Sequence, residues 1–192
     1  MTVVERAKRI TLEPAAEWAV IEAEPTTIGE IYRSYAIPLA LIPAIAGFIG
    51  ASLVGMGLPG LGNFRVPVGL GLLSAVVQFG IGLALLYVLA LVIDGLAPTF
   101  GGVKSPIAAF KLAAYAYTPA WLAGVFNILP SISFLTLLGL YAVYLLYVGL
   151  PRLMRVPPRS AGAYTAVVMI AGIVLAVIVG GTLGVVFGRP MM

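Results

Sequence analysis

Five long runs of continuously apolar residues alternate with short clusters of proline, glycine and charge along the 192-residue chain. They cover residues 35–58, 68–93, 107–128, 131–150 and 163–187. Each is long enough to form a helix of about 20 residues, the length that crosses roughly 30 Å of hydrocarbon. The runs do not alternate apolar with polar positions, which argues against the strands of a membrane barrel. Breakers lie between them: Pro59-Gly60 and Pro67, Pro98 with Gly101-Gly102, Pro130, and Pro157-Pro158. Ser105-Pro106 reads as an N-cap followed by proline at the first helical position and opens the third run. The predicted fold class is an all-α membrane protein. A cytosolic segment, residues 1–30, precedes a five-helix membrane domain, residues 31–192.

The segment before the first run has a different pattern. Over residues 3–12, Val3, Val4, Ala7 and Ile10 recur against Glu5, Arg6, Lys8 and Arg9 with helical period and one apolar face. Pro14 restarts a helix that holds Trp18, Val20 and Ile21, and Glu24-Pro25 ends it. Thr27 followed by Glu30 reads as a capping box at the entry to the first span. The expectation is a short amphipathic helix along the cytoplasmic interface, with the Trp18 indole at headgroup depth. The bland reading is a solvated amphipathic helix tucked under the bundle, and docking of a membrane or cytosolic protein partner through residues 1–30 is the sharper alternative.

Composition narrows the function classes. The chain is 61% hydrophobic and 9% charged, whereas a soluble domain carries roughly 25% charged residues. It has neither cysteine nor histidine, so disulfides, thiol nucleophiles, imidazole acid–base chemistry and the usual zinc and haem sites are excluded. No catalytic residue, metal or cofactor is expected, and no basic cluster interleaved with aromatics suggests nucleic acid. Six of the seven acidic residues fall in the first 30 positions. With five spans, Arg6, Lys8, Arg9, Arg33, Lys104, Lys111, Arg152, Arg155 and Arg159 share one side, and Arg65 and Arg189 the other. The positive-inside bias then puts the N-terminus in the cytoplasm and the C-terminus outside.

Within the bilayer, small residues let helices approach. Gly172, Ala176, Gly180, Gly184 and Gly188 recur every four residues on the fifth span, and the expected use is packing within the chain, with a homo-oligomer as the alternative. Pro38, Pro43 and Pro119 predict kinks. Asp94 and Lys111 are the ionisable groups at the edge of the apolar core, and intramembrane charge is a functional candidate by default. Lys111, Tyr115 and Thr118 share a helix face, and Pro119 frees the carbonyl of Tyr115. The bland expectation is that Lys111 snorkels to the headgroups and Asp94 caps locally or pairs with it. The functional one is a proton- or ion-coupled site.

Three stretches carry a resemblance: residues 7–26 (Ala7-Lys8-Arg9-Ile10, Glu17-Trp18, Glu24-Pro25-Thr26), Asp94 to Gly102, and Lys111 to Trp121 with Tyr115 and Pro119. Through them the chain resembles bacterial members of the Yip family of Ypt/Rab-interacting membrane proteins. The resemblance implies a cytosolic N-terminal segment, five spans, an inner-membrane location and, from the eukaryotic branch, a non-enzymatic trafficking or membrane-organising role. In that branch the Asp-x-x-x-Pro motif precedes the first span, whereas Asp94 and Pro98 follow the second here, so GTPase binding is not carried over. A membrane scaffold is the primary expectation. A small-solute or ion transporter using Asp94, Lys111, Tyr115 and Thr118 is the alternative, and an enzyme subunit without chemistry of its own a third.

Overall fold

The computed structural model describes the backbone of residues 1–58 and 62–187 and the side chains of 1–55 and 64–180. Two short helices, α1 (Val3–Leu12) and α2 (Pro14–Ala23), pack on each other as a hairpin. A helical rod, Ile28–Val54, follows. It is built from α3 (Ile28–Ile31), a π-turn at Tyr32–Ala36, α4 (Ile37–Phe48) and a second π-turn at Ile49–Val54. Its entry is fixed by a reciprocal capping box. The Thr27 hydroxyl accepts from the Glu30 amide at 3.2 Å, and the Glu30 carboxylate accepts from the Thr27 amide at 2.7 Å. Strands β1 (Met56–Leu58) and β2 (Gly62–Phe64) form a three-residue antiparallel ladder, with Gly57 opposite Asn63, between the rod and the next helix.

Helix α5 (Val68–Leu96) runs 29 residues and tightens into a 3₁₀ turn at Ala97–Phe100. Gly101 then takes φ 75°, a left-handed conformation suited to glycine, and closes the turn. Helix α6 (Pro106–Ala116) opens with the Ser105 cap. Segment 130–140 is 3₁₀ and leads into α8 (Tyr141–Leu153), and α9 (Pro158–Phe187) ends the described chain.

Among the described residues, four helices are long and apolar enough to cross a membrane: Ile28–Val54, Val68–Phe100, Pro130–Leu153 and Pro158–Gly180. The third expected span, residues 107–128, differs. It is split into α6, α7 (Thr118–Ala123) and a 3₁₀ turn at Gly124–Ile128. Pro119 explains the break, because proline supplies no amide to the preceding turn. The core sits around these pieces: every residue from Ala109 to Ala116 is buried. One end of 106–128 lies by the Asp94–Ser105 loop, and the other faces the second π-turn, where Gly50 abuts the Asn127 carbonyl.

Close packing uses glycines other than those of the regular stripe. A Cβ at Gly124 would fall 2.5 Å from Pro43 Cβ, one at Gly139 2.9 Å from Ala120 Cα, and one at Gly149 2.5 Å from Leu112 Cδ1. On α9, by contrast, Gly172 meets only Leu89 at 3.8 Å, Ala176 is exposed, and Gly180 has nothing within 4 Å. The expected intramolecular seam is not packed there: the buried residues of α9 among those described are Ala161, Tyr164, Thr165 and Val168, in its first turns and N-terminal to the stripe. The side-chain surroundings of Gly184 and all of Gly188 and Arg189 lie outside the described residues.

Candidate functional site

Local sequence fixes the pieces of the polar cluster, and tertiary packing brings them together. Glu13 breaks the first helix and Pro14 restarts the chain as α2, so the hairpin folds back. It lies with its buried stripe on α6 and α8. On α1 that stripe is Arg6, Ala7 and Ile10, and on α2 it is Glu17, Trp18 and Ile21. Two charges therefore sit where helical spacing demands apolar groups. They face each other: Arg6 Nη1 donates to Glu17 Oε1 at 2.7 Å in a buried pair. Arg6 also bonds the Glu24 carboxylate, and its guanidinium lies 5.6 Å from the centre of the Tyr115 ring. Arg9 stands 3.8 Å from the second Glu17 oxygen.

Lys111, only 6% exposed, makes no ion pair with Asp94. Its ammonium donates at 2.6 Å to the carbonyls of Ile21 and Glu24, both at the C-terminal end of α2. Those carbonyls have no amide partner in their own helix, and a cation there also meets the negative end of the helix dipole. Asp94 caps the neighbouring loop, accepting from the Ser105 amide at 2.7 Å.

Deeper in, Thr118 Oγ1 donates at 2.7 Å to the Tyr115 carbonyl, the group Pro119 leaves without a helical amide. The Tyr35 hydroxyl lies 2.7 Å from the same Thr118 oxygen. Tyr35 packs on Tyr115 and Trp121, with centroids 4.6 and 6.5 Å apart. The structure thus gathers Lys111, Tyr115, Thr118 and Pro119 on one buried line and leaves Asp94 beside it as a loop cap. One concavity is lined by Met1, Arg6 and Val20 and another by Glu22, Lys111 and Arg155, and neither of these touches Tyr115 or Thr118.

Trp18 departs from its expected place. Its side chain is fully buried against Gly149 rather than lying at a lipid interface, because α8 offers a glycine where the indole needs room. The residues that sequence reasoning missed are Arg6, Glu17, Glu24, Tyr35 and Gly149. For Arg6 and Glu17 a signal existed: each falls on the apolar stripe of its own helix, where a lone charge calls for a buried partner. Chemically the arrangement is a lock that holds a helical hairpin against the broken helical segment 106–128.

Comparison with known proteins gives the lineage. Two curated relatives, both described as inner membrane protein YohC, come from Escherichia coli strain K12 and Escherichia coli O6:H1 strain CFT073. Each is 27% identical over 166 residues, covering 84% of this chain and 85% of the relative. No solved structure matches. The Yip1 domain model matches residues 8–179, from α1 to the last turns of α9, and the chain belongs to the Yip1 domain family of membrane proteins.

Proposed function

We propose that this chain is a non-catalytic, five-crossing protein of the bacterial inner membrane. In this reading it acts as a scaffold that presents its N-terminal hairpin to a partner at the cytosolic face. The observation that carries it is the engagement of Lys111 by the Ile21 and Glu24 carbonyls. The polar group best suited to moving a solute holds the hairpin instead.

The reading of five crossings is supported by which ends meet. The Val103 amide donates to the Met154 carbonyl at 2.8 Å, so the two ends of the 104–153 stretch lie side by side. If 106–128 did not cross, Val103 and Met154 would sit on opposite faces. A broken crossing is tolerable where protein surrounds it, since only lipid-exposed backbone must be regular. At 1.5 Å per residue α5 and α9, of 29 and 30 residues, extend about 43 and 45 Å, beyond the roughly 30 Å of hydrocarbon. The basic residues around the hairpin orient that end toward the cytoplasm.

Single cysteines in this cysteine-free chain test the topology: Leu129→Cys labels from outside and Arg155→Cys from inside, whereas four crossings reverse both. The role is tested by cross-linking in native membranes, purification, and repetition with residues 1–27 deleted. A partner retained by the full chain and lost on deletion supports the scaffold. Solute or ion flux into liposomes that Asp94→Asn abolishes, with assembly intact, replaces it with a transporter.

A further inference from the structure

The mouth between the hairpin and the ends of α6 and α8 carries positive charge that its neighbours do not neutralise. A groove of about 340 Å³ opens there, lined by Glu22, Ser105, Lys111 and Arg155 and walled by apolar Val103 and Leu153. That volume is within the range of small-ligand clefts, about 300–1,000 Å³. Lys111 is buried, yet among the described residues it stands in no ion pair and rests on two backbone carbonyls. The two carboxylates that act on it through space, Glu24 and Glu22, are each engaged by an arginine: Glu24 by Arg6, and Glu22 by Arg152 at 3.1 Å.

Arg155 is the second cation of the groove and likewise makes no ion pair among the described residues. Its backbone has φ 53°, in the left-handed region that disfavours any residue but glycine or asparagine. The chain holds a cation at a position whose backbone prefers none. Lys104 and Arg152, the chain neighbours of the lining residues Ser105 and Leu153, are exposed. Exposed Val103 adds an apolar side, so the groove pairs a cationic floor with an oily wall.

We infer that this groove binds a phosphate-type anion, and that its source is the headgroup of an anionic phospholipid. Lys111 and Arg155 contact the phosphate, and Val103 and Leu153 face the start of the acyl chains. Basic pockets between membrane helices recognise anionic headgroups by this combination of charge and depth. The inference needs neither a protein partner nor a fixed number of crossings, so it stands or falls apart from the scaffold reading.

The test uses the full chain in nanodiscs of equal parts phosphatidylglycerol and phosphatidylcholine, with retained lipid counted by native mass spectrometry. The wild type retains phosphatidylglycerol preferentially. Arg155→Gly removes the cation while suiting the backbone, and it lowers that preference about fivefold, the weight of one basic residue at an anionic surface. Arg65→Gln, a cation outside the groove, leaves it unchanged. Lys111→Gln also loosens the hairpin, so the Arg155 variant carries the test, with limited proteolysis confirming that its hairpin stays docked. Retention that millimolar inorganic phosphate does not displace supports the lipid source. Arg155-dependent binding of inorganic phosphate with no lipid preference overturns the lipid assignment in favour of a soluble oxyanion. Equal retention of both lipids without phosphate binding, or an undiminished preference in Arg155→Gly, overturns the site altogether.

Discussion

The α6–α7 segment and α9 are both apolar and both about the length of a membrane crossing, yet one is broken in three and the other runs 30 residues without interruption. Position explains the difference. Nearly the whole of α6 is buried, and the carbonyl freed at its break is taken by the Thr118 hydroxyl. Much of α9 is exposed, with Ile170, Ile173, Val177 and Ile178 facing outward. Toward lipid, a freed backbone group finds no partner, so the peripheral helix must satisfy every carbonyl itself. At the α6–α7 break the irregularity is completed by a neighbouring side chain, the Thr118 hydroxyl, inside the packed core.

The harshest way to break this contrast is to unlock the hairpin that covers the broken segment. Glu17→Ala leaves Arg6 without its one buried counter-ion and with only the half-exposed Glu24, and should destabilise by about 3 kcal/mol, the low end for breaking a buried pair. Thermal unfolding in detergent and rapid proteolysis within residues 1–27 would register the loss. Replacing both partners, Arg6→Met with Glu17→Leu, should recover most of it, since the desolvation of both charges disappears together. The exposed pair Arg152–Glu22 is the control: Glu22→Ala should change stability by at most about 1 kcal/mol.

Next in size is a test of packing. Gly124→Leu drives a side chain into Pro43, whose Cα lies 3.0 Å from the new Cβ and cannot swing away. Overpacking of this kind costs about 1–3 kcal/mol, read as a lower unfolding temperature and poorer yield of folded chain. Gly180→Leu on α9 has open space and should leave both unchanged. If the two substitutions behave alike, the buried and peripheral helices do not differ as described.

What could be read in advance from the residues was local. The Thr27–Glu30 capping box and the Ser105–Pro106 start depend on neighbours within four residues, and both form. The freed Tyr115 carbonyl was legible too, because Pro119 and Thr118 are adjacent in the chain. Lys111 was legible as a residue but not by its partners, which lie 87 and 90 positions away on the hairpin. The glycines misled for a related reason. A repeat every four residues looks like a packing seam wherever it occurs, while Gly124 and Gly149 matter only because Pro43 and Trp18 arrive from elsewhere.

A smaller effect separates the two helices at the level of one hydroxyl. Thr118→Val leaves the Tyr115 carbonyl buried without a donor and should cost about 1–3 kcal/mol. It also deprives Tyr35 of its partner. Thr165, on α9, donates at 2.8 Å to the Ala161 carbonyl, a group its own helix already serves. Thr165→Val should therefore cost no more than about 0.6 kcal/mol, the usual worth of such bonds in membrane helices. Unfolding in mild detergent measures both, and equal losses would mean that the break places no special demand on Thr118.

The smallest expected change concerns Trp18, and it decides what holds the hairpin down. Its indole nitrogen is buried with no hydrogen-bond partner among the described residues. Trp18→Phe gives up apolar contact with Gly149 and Leu112 but also removes an unsatisfied donor, which is worth about 1–3 kcal/mol in the opposite direction. The two effects oppose each other, so the net change in stability should lie within about 1 kcal/mol, and residues 1–27 should stay protected from protease. A larger loss would show that the packing of the fully buried indole on α8 outweighs its unsatisfied N–H, and protease access to residues 1–27 would then show that this packing is what seats the hairpin.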